Sequence, residues 1–149
     1  MPGNIVDQFY ARQLSENEFA PQLIYPAQAT NAGVRFSTST ATAWSYAAAL
    51  PSELMSGGDA PTNPFRIDWA VMNLTSDNGF YELVLYSGAA GSEVEIARTG
   101  WTRGLNLDMI VSPVRTRKIA GGSRISARLV CSVANANSRV RLLYHEVTA

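Results

Sequence analysis

From about residue 33 onward, apolar and polar side chains alternate with a period of two, the mark of half-buried β-strands. Val34 and Phe36 alternate with Arg35 and Ser37, and the polar run Ser37 to Thr40 then blurs the pattern. Phe65, Ile67, Trp69 and Val71 alternate with Arg66, Asp68, Ala70 and Met72. Tyr81, Leu83 and Leu85 alternate with Glu82, Val84 and Tyr86, and Val94 and Ile96 with Glu93, Glu95 and Ala97. Leu105, Leu107, Met109 and Val111 continue the period. A short basic stretch runs from Val114 to Ile119. Ile125, Ala127, Leu129, Cys131 and Val133 line one face of a long strand, and Val140, Leu142 and Tyr144 one face of the last. Turns fall at Ser76–Gly79, Ser87–Ser92, Gly121–Gly122 and Asn135–Ser138, where Gly and Asn supply the backbone angles that reversals need. Residues 50–64, rich in Gly and Pro, read as a long loop.

About eight strands at roughly 8–12-residue spacing predict an all-β antiparallel sandwich, jelly-roll-like, with an immunoglobulin-like sandwich as the competitor. Residues 1–31 differ in texture. Ile5, Val6, Phe9, Tyr10, Leu14 and Phe19 fall near helical spacing, and Ser15 with Glu18 forms a capping box. Pro21 and Pro26 stop any helix from extending far. The division expected is an N-terminal arm over 1–31, with a short helix, and a β-sandwich domain over 32–149. The arm carries more apolar side chains than a disordered tail, so it is expected to be buried on its own domain or on a neighbouring subunit.

Charged residues are 16% of the chain, against an average of about 25%. Much of the surface is therefore expected to pack against neighbours. Net charge is zero, so the chain as a whole offers no electrostatic footprint for nucleic acid. Lys118 is the only lysine; arginine without lysine suits an interface, and equally the codon usage of a GC-rich genome. The single cysteine, Cys131, rules out an internal disulfide and reads as an inert core thiol. No leader-like segment is visible, and no apolar run approaches the roughly 18 residues of a membrane span. Synthesis and assembly in a reducing cytoplasm are expected.

Candidate chemistry is sparse. His145 is the only histidine, reads as a surface or interface residue, and leaves a zinc site short of ligands. No G-x-S-x-G elbow and no phosphate-binding loop is present. Glu93 and Glu95 share a strand face, a spacing that suits glycoside hydrolysis but that any solvated strand satisfies. No catalytic residue, metal or cofactor is expected. Trp44 and Trp69 read as core. Trp101 lies between Gly100 and Gly104 in an apparent loop, placed to serve as an exposed anchor. Arg115 and Arg117 share one strand face, as do Arg139 and Arg141; if the strand of Arg124 and Arg128 pairs beside them, an arginine-rich outer surface results. The residues expected to meet a partner are thus Phe9, Tyr10, Phe19 and Tyr25 in the arm, with Trp101, Arg115, Arg117, Arg139 and Arg141.

Gly88-Ala89-Ala90-Gly91-Ser92-Glu93 and Gly122-Ser123-Arg124-Ile125, with Ala127 and Arg128, resemble two motifs of a recurrent β-domain of tailed-phage virion proteins. The resemblance covers roughly residues 36–147, with Thr40 to Trp44 similar to a threonine-rich upstream strand of that family. It departs at Ala120-Gly121, where the family usually has Pro-Ala. It implies a virion structural role and carries over no catalytic residue. The expectation is a capsid decoration or cement protein, located in the virion. It would bind the major capsid protein or other virion proteins as a dimer or trimer, with no nucleic acid or membrane partner. The alternatives are a tail or neck component and a lectin-like module binding glycan.

Overall fold

The computed structural model describes residues 22–27, 33–104 and 109–147. They hold nine strands and no helix: β1 (Leu23–Tyr25), β2 (Val34–Ser37), β3 (Ser52–Met55), β4 (Phe65–Asn73), β5 (Gly79–Ser87), β6 (Val94–Arg103), β7 (Met109–Pro113), β8 (Ile125–Cys131) and β9 (Asn137–Glu146). The chain is an all-β sandwich of two antiparallel sheets. In the five-stranded sheet β4 lies between β7 and β9, and β1 and β2 share the far edge of β9. The four-stranded sheet runs β3-β8-β5-β6.

The inner faces of the sheets meet in one core. Phe65, Ile67, Met72, Val140 and Leu142 come from one sheet, and Met55, Leu83, Leu85, Ile125 and Leu129 from the other. Two polar pairs sit among them. Thr99 of β6 is hydrogen-bonded to Ser112 of β7 across the sandwich, and Thr75 to Ser138 at 2.9 Å. Each satisfies groups that burial would otherwise leave unpaired.

Strict alternation holds over β5, β8 and β9 and breaks in β4. There the register with β9 advances from Ile67↔Tyr144 to Trp69↔Leu143, so Asp68 is an extra residue, a β-bulge. The bulge reverses the parity of everything after it. Ala70 and Met72 turn inward, and Trp69 moves off the core and onto the outer face with Val71. β7 follows suit: Ser112 points in, and Met109 and Val111, at 63% and 48% exposed, point out.

Other expectations are corrected in the same way. Leu23–Tyr25, within the stretch read as arm, is a strand on β9, so the sheet begins before residue 32. The loop expected over 50–64 contains β3, because Leu54 and Met55 are apolar enough to seal the sandwich edge. Trp44 is 57% exposed in a turn with φ 56°, not in the core. Trp101, expected in a loop, lies inside β6 and is 8% exposed. His145 is buried rather than on the surface. Val114 to Ile119 is irregular rather than a strand; it hydrogen-bonds along the first half of β4, with Arg115 at φ 51°. The candidate helix with Ser15 and Glu18, and Leu105 and Leu107, lie outside the described residues.

Candidate functional site

The outer face of the five-stranded sheet is unusual for its composition. Beyond the Asp68 bulge, Trp69 lies between Leu143 of β9 and Pro113 of β7, and Val71 between Arg141 and Val111. An apolar strip therefore crosses the middle of the face. Arginines border it: Arg66 beside His145, Arg141 beside Val71, and Arg139 directly opposite Arg35. Like charges facing across a ladder repel, and Arg139 is held by donating to the Gly33 carbonyl at 3.1 Å. Aromatic and aliphatic centre with arginine rim, and no lysine, is the composition of protein–protein contacts.

Asp68 is the acidic group of this face. Its Oδ2 lies 2.7 Å from His145 Nδ1 and accepts a 3.2 Å hydrogen bond from Gln22 Nε2. A histidine oriented by a carboxylate is two-thirds of a hydrolytic triad. Among the described residues, no hydroxyl or thiol is bonded to His145 Nε2, which is sealed from solvent. The pair pins the end of β9 to the bulge of β4, and Gln22 ties the entry of β1 to it.

The motifs that carry the family resemblance meet in space. Gly88 N–H donates to the Arg124 carbonyl at 3.1 Å, and the Arg124 guanidinium reaches Glu93 at 3.1 Å and Glu53 of β3 at 2.9 Å. Glu93 also accepts from the Gly91 N–H at 2.8 Å. Its own backbone N–H, then Arg124 and Gly91, hold its carboxyl below the usual range against the effect of burial. Glu95 is held low chiefly by its hydrogen bonds to Arg98, which also bonds Glu82 at 2.8 Å. Each carboxylate of the Glu93/Glu95 pair thus serves a different arginine, and the two do not form an acid–base pair. The motif residues close a turn and clamp three strands together.

On the outer face of the four-stranded sheet, Arg128 is gripped between two rings, 4.7 Å from the Tyr46 centroid and 5.7 Å from that of Tyr86. It helps to line a cleft of 210 Å³ at the edge where β2 passes β8, with Arg35, Phe36, Tyr46 and Leu50. Burial, and then Tyr86, push the Tyr46 phenol up.

The partner-facing residues expected from sequence are therefore scattered. Phe9, Tyr10 and Phe19 lie outside the described residues. Tyr25 packs against the core, with its hydroxyl 3.1 Å from Asp59. Trp101 is stacked in the core on Tyr81 and is no surface anchor. Arg115 and Arg117 are exposed on the irregular segment beside β4. Arg139 and Arg141 stand on the outer face of the five-stranded sheet, but β8 belongs to the other sheet. Arg128 therefore points away from them, and the single arginine-rich surface expected from pairing does not form. Trp69, Val71, Met109 and Val111, which make the apolar strip, escaped sequence reasoning. No local signal marked them: Asp68, the bulged residue, reads in the sequence as an ordinary outward polar position, like Arg66. Among the described residues, no group of three or more His, Cys, Asp and Glu is placed to hold a metal ion. No protein-family model matches the chain, and no curated protein matches it.

Proposed function

We propose that this chain is a structural protein of a tailed-phage virion, and within that class a capsid decoration, or cement, protein. The observation that carries the reading is the strand order. With β1 set aside as an addition to the edge, β2-β9-β4-β7 faces β3-β8-β5-β6. Eight strands whose chain passes back and forth between two four-stranded sheets fit a jelly roll, an architecture used by viral capsid and lectin domains. Fold alone hosts unrelated functions, so the surface must speak as well. It offers an apolar strip rimmed by arginine, a composition suited to the major capsid protein or another virion protein. The clamp at Arg124 accounts for the two motifs without requiring chemistry of them. The lectin reading loses its main anchor now that Trp101 is in the core.

The test is mass spectrometry and cryo-electron microscopy of the particle that carries the gene. Density for this fold on the outer capsid lattice is the expected result. Density only at the tail or neck replaces decoration with tail assembly. Absence of the chain from purified particles ends the virion reading.

A further inference from the structure

On the outer face of the four-stranded sheet, arginines are paired with carboxylates, save one. Arg98 is bonded to Glu82 and Glu95, and Arg124 to Glu53 and Glu93. Arg128 has no hydrogen-bond acceptor among the described residues, and its Nε is sealed from solvent. It is nonetheless held in place, because the Tyr46 and Tyr86 rings lie 4.7 and 5.7 Å from its guanidinium carbon. A fixed guanidinium without an acceptor is prepared for a planar anion. The 210 Å³ cleft that it lines also holds Arg35, likewise without an acceptor among the described residues, and the hydroxyls of Ser37 and Ser52. None of the described residues that line the cleft is acidic.

The same cleft opens onto unpaired main chain. The Ser132 N–H donates to the Phe80 carbonyl and the Gly88 N–H to the Arg124 carbonyl, so the even-numbered residues of β8 bond β5. The odd-numbered residues turn their N–H and C=O groups to the opposite edge. There Ala127 is opposed by Ser52 of β3, and the Cys131 carbonyl accepts from the Trp44 N–H at 2.7 Å. Leu129, between them, is opposed by no described strand on that edge, and it lines the cleft.

We infer that this cleft binds an acidic side chain on an extended segment of a partner protein, with the carboxylate on Arg128 and the main chain on the free edge of Leu129. The surface is distinct from the apolar strip, and the inference is independent of the virion reading. Strand addition at an open edge supplies main-chain hydrogen bonds, and the neighbouring side-chain pocket supplies selectivity. Here the open edge is one residue long, between β3 and the Trp44 contact, so the ladder it offers is short and the carboxylate must carry the selectivity. Arg35, which faces Arg139 across the β2–β9 ladder, adds positive charge at the same mouth. The cleft is smaller than the roughly 300–1,000 Å³ of sites that enclose drug-sized ligands. That size suits one side chain on a chain that continues past it.

Nuclear magnetic resonance of the full-length chain tests this, with the blocked tripeptide acetyl-Val-Glu-Val-amide as probe. Acetyl-Val-Gln-Val-amide and the acidic sugar N-acetylneuraminate are titrated alongside. The expected result is a saturable shift of the Leu129 amide and Arg128 Nε–H signals with the glutamyl peptide. Binding should weaken by about tenfold or more for the glutaminyl peptide, and by as much for the glutamyl peptide on Arg128→Gln. Arg128→Gln also removes the ring contacts with Tyr46 and Tyr86, so the two peptides are compared on the unaltered chain as well. No saturable shift with the glutamyl peptide, equal binding of the two peptides, binding undiminished by Arg128→Gln, or saturation by N-acetylneuraminate in place of the peptide would overturn it.

Discussion

Trp101 and Tyr81 stack with ring centroids 5.2 Å apart and planes within 10° of parallel. The pair closes one end of the core, and the indole N–H finds no acceptor there. Trp101→Ala leaves a large cavity, so it is expected to cost about 3–5 kcal/mol and lower Tm by roughly 10 °C in thermal unfolding. Trp101→Phe keeps a ring against Tyr81 and removes the orphan donor, so it should lose far less. Trp44 is the contrasting case: it is exposed, and Trp44→Ala should change stability by no more than about 0.5 kcal/mol. If Trp101→Ala unfolds like the parent, the indole is not part of the core. A partner that distinguishes tryptophans on this protein has Trp44 to find in its exposed turn, and Trp69 separately on the outer face of the five-stranded sheet.

Strands and turns show where local sequence governs and where contacts across the fold take over. The turn at Gly121-Gly122 needs glycine for a physical reason. A Cβ on Gly121 would lie 1.9 Å from the Thr62 carbonyl oxygen, which is backbone and cannot swing away. The Gly122 N–H donates to the Pro61 carbonyl at 2.7 Å, so the turn is pulled tightly onto that loop. Gly121→Ala is therefore expected to destabilise by about 3 kcal/mol, the upper end of overpacking costs. Denaturant titration checks it, and an unchanged midpoint would show that the loop yields. Wherever a strand was regular, the alternation of its side chains was enough to place it. β5, β8 and β9 bury Tyr81, Leu83, Leu85, Ile125, Leu129, Val140 and Leu142 as their sequences require. Reading failed at β4, because a bulge leaves no mark on composition and reverses every later side chain. Trp69 consequently changed faces, and the apolar strip with it. Trp101 was misplaced for another reason: flanking glycines suggested a loop, but Gly100 pairs with Glu82 inside a ladder. β3 was too short for its period to show. The arginine surface failed on topology, since periodicity says nothing about which sheet receives β8 and which β9.

At the scale of the molecule, charge is distributed unevenly between the two outer faces, and that sets how stability depends on pH. The four-stranded face spends its carboxylates on fixed arginines, with Glu53 and Glu93 on Arg124, and Glu82 and Glu95 on Arg98. Glu93 and Glu95 are both held below the ordinary 4.5. The unfolded chain then takes up protons at a pH where the folded chain does not. The stabilisation is complete above about 4.5 and is lost as pH falls through the lowered folded values. At the alkaline end, burial raises the phenols of Tyr25, Tyr46, Tyr81 and Tyr144 above the ordinary 10.0. Here the unfolded chain loses protons first, so stability is complete below about 10 and falls as pH rises towards the folded values. Thermal unfolding across pH should therefore show a plateau with two flanks. Glu93→Gln should lower the plateau and make the acid flank shallower while leaving the alkaline flank where it was. The phenolate absorbance of these four tyrosines should develop at higher pH in the folded chain than in the unfolded one. An acid flank of unchanged steepness in Glu93→Gln would mean that the Arg124 clamp holds the three strands by its neutral hydrogen bonds and packing, with the carboxylate contributing little.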